Sequence, residues 1–261
     1  MSRLNDARNA YQNRTIEMMK KAHSEKAIID SIHKEEHKNS FTLPEIILGG
    51  QDGLVNVLGI ILGVTAATSS NQIVIVAGLA AAFAESISMG AVAYTSKVAE
   101  ADFYQSELER ERYEIEKLPD GEREEIRQLY KKYGFEGEML EKIVTKITSN
   151  KDVWVNVMMH DELKLEPINR KEILPKAIIV GISALVGSFI PLTAYFFLPN
   201  TIASWIGISL SALTLFTVGY YKAKKTIGRK FIKKGLEMMI IGMVSAFVGY
   251  LIGTLFQVKG I

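Results

Sequence analysis

Two acids stand in stretches of chain that are otherwise apolar. Asp52 lies within EIILGGQDGLVNVLGIILGVTAATSS, which begins at Glu45, and Glu85 within NQIVIVAGLAAAFAESISMGAVAYTSK, which ends at Lys97. A carboxylate at membrane depth costs about 2.5–3.5 kcal/mol even on the lenient insertion scale, so such a residue marks a functional site by default. Asn56 follows Asp52 by one helical turn, Ser88 is close by, and Met89 follows Glu85 at i+4. Carboxylates suit hard and borderline cations, and a thioether adds softness. Asp52, Glu85 and Met89 together therefore fit a divalent transition metal better than Na+ or Mg2+. The plainer alternative, a neutralised carboxyl that clamps helices by hydrogen bonds, stays open.

A second set lies in polar sequence. Glu107, Glu111 and Glu114 share one helical face, Glu122 and Glu125 are an i, i+3 pair, and Met158 and Glu162 are i, i+4 neighbours beside Met159. Three helices could converge these groups on shared ions. Acidic stripes are usually solvated surface, however, and Met158-Met159 near Trp154 and Val157 suits core packing equally well. Spacing alone does not decide between these readings. His33 and His37 sit one turn apart, but Lys34 stands where a zincin motif needs Glu, so the pair is not taken as a metal site.

The elements that must position these residues follow from charge segregation. The 261 residues are 48% hydrophobic, with a mean hydropathy of +0.12. That average mixes charge-dense stretches, 1–43 and 98–175, with stretches almost free of charge, 44–96 and, apart from a basic segment around 222–237, 177–258. A soluble fold would interleave the two at helical or strand period. The chain lacks cysteine, which excludes disulfides and thiolate metal sites. Its first 43 residues carry Leu4, Ala7, Tyr11, Met18, Ala22, Ile29 and Ile32 at helical spacings, which predicts an amphipathic surface helix over 1–40.

Five spans are predicted: about Pro44–Thr68, a helix from Ile73 that runs on to Lys117, Ala177–Leu198, Thr201–Tyr221 and Leu236–Val258. The second has no Gly or Pro between Lys97 and Lys117, so it continues for about 65–70 Å, well beyond a bilayer. Pro191 is expected to kink the third. Gly59 and Gly63 share a face with Asp52, and this small-xxx-small pattern is expected to meet a partner subunit. Gly249 and Gly253 repeat the pattern in the fifth span. The polar middle reads as three helices after the long one: Gly121–Tyr133 with Asp120 as N-cap, Glu136–Thr148, and Lys151 to about Leu165.

Fold class and domains follow: an all-α integral membrane protein with five transmembrane helices and a cytosolic helical metal-binding domain inserted between the second and third. The expected boundaries are 1–43 for the N-terminal cytosolic helix, 44–97 for the first two spans, 98–175 for the inserted domain and 176–261 for the last three spans. Lys and Arg crowd the N-terminal flank, 98–176 and 222–234, while the turns 69–72 and 199–200 have none. The positive-inside rule then sets the N-terminus in the cytosol and the C-terminus outside. With no apolar signal core at the N-terminus, a prokaryotic cell membrane is expected, or a vacuole-type membrane in a eukaryote.

The motifs DGLVNVLGIILGV and AESISMGAVAYTS, followed by Glu-rich helices and MMHDEL, resemble the vacuolar iron transporter (VIT) family over about Gly49–Val258. The resemblance implies a homodimer that moves Fe2+, and often Mn2+, out of the cytosol in exchange for protons. It implies an ion path between the subunits, with Asp52 and Met89 matching its lining. It also implies a cytosolic domain that binds metal through Glu111 and Glu114, Glu122 and Glu125, and Met158 with Glu162, with Met159 a weaker match. One departure stands: many members carry S-M-x-x-G-E where this chain has Val92-Ala93 after Ser88-Met89. Either Glu85 supplies the missing acid or the proton coupling differs.

The expected function is thus proton-coupled export of Fe2+ or Mn2+ by a non-enzyme, with those ions, protons, lipid and a second copy as partners. No prosthetic group and no nucleic acid are expected. The rival is a membrane-anchored metal buffer or sensor that moves nothing. A ferroxidase or metallohydrolase would need a His-rich site or Glu-x-x-His pairs, and none of the four histidines completes a Glu-x-x-His pair.

Overall fold

The computed structural model describes residues 15–32, 42–226 and 230–256, and every regular element among them is helical. The expected helix over 1–40 is interrupted: α1 (Ile16–Ala22) stops at His23, and α2 (Glu25–Ile32) starts anew behind Ser24. The Ser24 hydroxyl accepts from the Ala27 N–H at 3.4 Å, a local bond that favours a fresh helix start over continuation. His33 and His37 lie outside the described residues.

Five helices are long and apolar enough to cross a membrane. They are α3 (Leu43–Ala67), α4 (Asn71–Lys117), α8 (Arg170–Leu192, extended by a 3-10 turn over Thr193–Phe196), α9 (Asn200–Thr226) and α10 (Phe231–Leu255). The 47-residue α4 is unbroken, as the absence of Gly and Pro at its outer end predicts. At Pro191 the interruption takes the form of a change of helix type, since α8 tightens into the 3-10 turn just beyond it. The chain forms two compact units, one of residues up to Met89 with those from Ile179 onward, the other Gly90–Ile178.

In the first unit, Val57, Leu58 and Ile61 of α3 bury against Val74 of α4, Leu192 and Tyr195. Apolar burial gives little net drive between helices in lipid, so close backbone approach and hydrogen bonds must supply the contact. Glycines provide it. A Cβ on Gly49 would stand 2.0 Å from the Val180 carbonyl oxygen of α8, and one on Gly187 2.1 Å from that of Gly50. Further along α3, a Cβ on Gly249 would stand 2.4 Å from the Gly59 oxygen. The small-xxx-small face of α3 therefore meets its counterpart on α10 of the same chain. This corrects the expectation that Gly59 and Gly63 contact a partner subunit: two such motifs in one chain satisfy each other. At the turns, Asn71 Nδ2 donates to the Tyr195 carbonyl at 2.9 Å, and Asn200 Nδ2 to that of Ser69 at 2.9 Å.

The second unit contains the outer part of α4, then α5 (Pro119–Lys132), α6 (Gly137–Thr148) and α7 (Lys151–Val157), followed by a π turn over Met158–Glu162. Ile115, Ile126, Leu140, Val144, Trp154 and Met158 form its core. Leu118, not Asp120, is the N-cap of α5. Pro119 takes the first helical position, where its missing N–H costs no hydrogen bond, and that moves Asp120 into the first turn. The helix ends at Lys132, close to the expected Tyr133, and Gly134 just beyond it takes a positive φ of 89°. Asn150 caps α7, its Oδ1 accepting from the N–H of Asp152 at 2.9 Å and of Val153 at 3.2 Å. The α-helix expected to continue to Leu165 gives way at Met158 to the π turn.

Candidate metal sites

In the membrane-spanning unit, Asp52, Asn56 and Glu85 are all half-buried. The Glu85 carboxyl lies beside the Asp52 carboxyl and the Asn56 side chain. Two carboxyls at this range can share a hydrogen bond only when one carries a proton, and both also present acceptor oxygens. Neighbouring contacts orient α4. The Ser86 hydroxyl donates to the Gly181 carbonyl at 2.8 Å, and Phe83 packs edge-on to Phe189 with ring centroids 6.4 Å apart. The single chain thus joins Asp52, Asn56 and Glu85, while Ser88 is exposed and Met89, one turn beyond Glu85, is half-buried.

In the inserted unit, Glu111, Glu114 and Glu122 each offer a carboxylate oxygen, and the three oxygens lie within 4.8 Å of one another. The i, i+3 spacing sets Glu111 and Glu114 on one face of α4. Glu122 belongs to the first turn of α5, where the helix dipole favours an acid. Glu111 is 2% exposed and Glu122 5% exposed, and Oε2 of each has no hydrogen-bond partner among the described residues. A buried carboxylate oxygen left unpaired is costly, so this geometry calls for a proton or a cation. Glu125 and Glu162 lie at the exposed rim. A hollow of about 340 Å³ opens there between Glu125, Gln128, Lys132 and Glu162.

The π turn helps to arrange this. Its wider register buries Met158 and Met159 together, at 0% and 2% exposure, and leaves Glu162 at the rim. Both thioethers pack in the core with Ile126 and Trp154, the packing role that their residue type also allowed. Arg110, which sequence reasoning passed over, enters the cluster directly. Its Nη2 donates to Glu111 Oε1 at 2.6 Å and to Glu107 Oε2 at 2.8 Å, and its Nη1 to Glu114. The signal was present as a cation spaced i+3 from Glu107 and i−4 from Glu114.

Proton affinities reflect the crowding. Burial first, then the charges of Glu125, Glu111, Glu114 and Glu162, push the Glu122 carboxyl up to about 7. Burial raises Glu111 as well, with Arg110 pulling the other way and Glu162, Glu114 and Glu125 adding to the rise. Glu162 is raised by burial and by Glu125, against Arg110 and Lys132. Glu122 therefore keeps its proton up to near neutral pH, and a divalent cation can take that proton's place.

The family model for the VIT family matches residues 43–254, from the start of α3 to the last turn of α10. The chain belongs to the VIT family. A protein named vacuolar iron transporter from Plasmodium falciparum (isolate 3D7) is 34% identical over 263 residues, covering 97% of this chain and 96% of its own. Its namesake from Centaurea cyanus is 33% identical over 231 residues, 87% of this chain and 93% of its own. Vacuolar iron transporter 1 of Arabidopsis thaliana is 31% identical over 238 residues, 89% and 94%. The VIT match takes in all five spanning helices and the inserted unit, as the resemblance carried by the DGLV, SM and MM motifs implied.

Proposed function

We propose that this VIT-family chain exports Fe2+, and Mn2+ with it, from the cytosol in exchange for protons. The observation that carries the reading is the meeting of Asp52, Asn56 and Glu85 within two membrane-spanning helices, in a chain whose relatives are named vacuolar iron transporters. In this scheme the inserted unit faces the cytosol, a reading that the positive-inside rule supports through the lysines at the α9–α10 junction. Glu111, Glu114 and Glu122 capture the ion, with Glu125 and Glu162 at the rim and Met158 and Met159 adjacent. The ion passes to Met89, one turn beyond Glu85 on α4, on a path shared between two copies of the chain, and then to Asp52. Asp52 and Glu85 exchange metal for protons, because a carboxylate that gains a proton loses its hold on the metal.

Proteoliposomes test the proposal. A pH gradient should drive Fe2+ and Mn2+ uptake, Asp52→Ala should abolish it, and Met89→Ala should slow it. Normal Fe2+ flux through both variants, correctly inserted, would sink the mechanism. Metal loading with no pH-driven flux would favour a membrane-anchored buffer or sensor.

A further inference from the structure

We infer that Arg110 is a tethered competitor for the metal in the carboxylate cluster and sets how tightly the inserted unit holds a divalent ion. The inference rests on the reading that Glu111, Glu114 and Glu122 bind metal. From one turn of α4 the guanidinium reaches Glu111 Oε1 at 2.6 Å, Glu107 Oε2 at 2.8 Å, and Glu114. Of the three acids with converging oxygens, it therefore engages two. Only Glu122 stands apart from it, and Glu111 keeps one buried oxygen without a hydrogen-bond partner among the described residues.

Charge and mobility give the competition its direction. A divalent ion brings two charges to the same oxygens where Arg110 brings one, so the two compete for Glu111 and Glu114 and repel each other at close range. Arg110 can yield, because its side chain is 42% exposed and Glu107 lies outside the converging triad. Glu107 serves as the berth to which the guanidinium retreats when the ion takes the two shared acids. A tethered cation of this kind keeps the acids together, lowers the affinity for metal, and speeds its release toward the next site. The binding carboxylates would otherwise form a trap, since five mutually repelling acids are offset by Arg110 and Lys132.

The test is Mn2+ binding to the full chain, purified in detergent, stripped with chelator and titrated at pH 8 and low salt. Arg110→Gln should tighten Mn2+ binding about tenfold, the size of one charge acting on a divalent ion at a few ångströms. The gain should shrink as salt is raised. Arg110→Lys keeps the charge but loses the planar fork, so its binding should tighten by a smaller factor, and it carries the test if Arg110→Gln does not fold. Unchanged or weaker binding in the folded variants overturns the inference. Wild-type Mn2+ binding that Glu111→Gln and Glu122→Gln leave untouched would instead overturn the metal reading on which it rests.

Discussion

Gly253 of α10 rests on the backbone of Gly63 in α3, so closely that a Cβ at Gly253 would stand 2.0 Å from the Gly63 carbonyl oxygen. One turn away, Gly249 meets Gly59 in the same manner. On the other flank of α3, a Cβ at Gly53 would stand 2.1 Å from the Ala184 oxygen of α8. The helix that carries Asp52 is therefore held by backbone contact along both halves. Its position against α8 and α10 has little freedom, because interfaces this close do not deform continuously.

Substitution at these glycines should be costly in proportion to that closeness. Gly253→Ala should destabilise the protein by about 2 kcal/mol or more through overpacking, read as a lower midpoint of thermal unfolding in detergent. Gly121 is the control, since nothing lies within 4 Å of a Cβ built there. Gly121→Ala in α5 should raise stability by about 0.5–1 kcal/mol, as the helix gains propensity without a clash. Equal effects at the two positions would refute the contact argument.

Glu85 offers a separable test of its role beside Asp52. Glu85→Gln retains hydrogen-bonding groups toward Asp52 and Asn56 but removes the exchangeable proton. Mn2+ flux in proteoliposomes should persist while its response to an imposed pH gradient falls at least severalfold. A full pH response in Glu85→Gln would leave Asp52 alone as the proton carrier.

The inserted unit should lose stability as pH rises. Glu122 binds its proton up to about pH 7 when folded, against an ordinary 4.5. The folded form thus holds more protons than the unfolded form between those values. This contribution to stability is fully present below about pH 4.5 and is lost as pH passes through about 7, a change of about 3 kcal/mol. Glu111 and Glu162 shift in the same direction. Chelated protein should therefore unfold at lower temperature at pH 8 than at pH 5.5, and Mn2+ should restore more of the loss at pH 8. Glu122→Gln should flatten the profile.

Much of this was legible in the sequence because hydropathy and breakers are local signals. The uncharged stretches announced five spans, and the Gly- and Pro-free run to Lys117 announced an unbroken α4. The pairing of Gly59 and Gly63 with Gly249 and Gly253 was harder. Small residues mark where helices can touch but do not name the partner. The π turn at Met158 has no local signature, since it is set by how Trp154, Met158 and Met159 fill the core. Arg110 was overlooked for a similar reason. Among Glu107, Glu111 and Glu114 it reads as an ordinary surface ion pair until the burial of Glu111 gives it weight.

Asn150 controls the segment that delivers Met158, Met159 and Glu162. The α7 helix has only seven residues, too few to hold in isolation, and Asn150 Oδ1 accepts two of its first N–H groups. Asn150→Ala should cost about 1 kcal/mol, while Asn150→Asp, which keeps an acceptor at the cap, should cost much less. Because the π turn comes directly after α7, fraying at the cap loosens the frame that buries Met158 and Met159. Hydrogen exchange of residues 151–157 in the full chain checks this. Exchange should speed several-fold in Asn150→Ala and stay near the parent rate in Asn150→Asp. Equal protection in both would mean that core packing alone holds the segment.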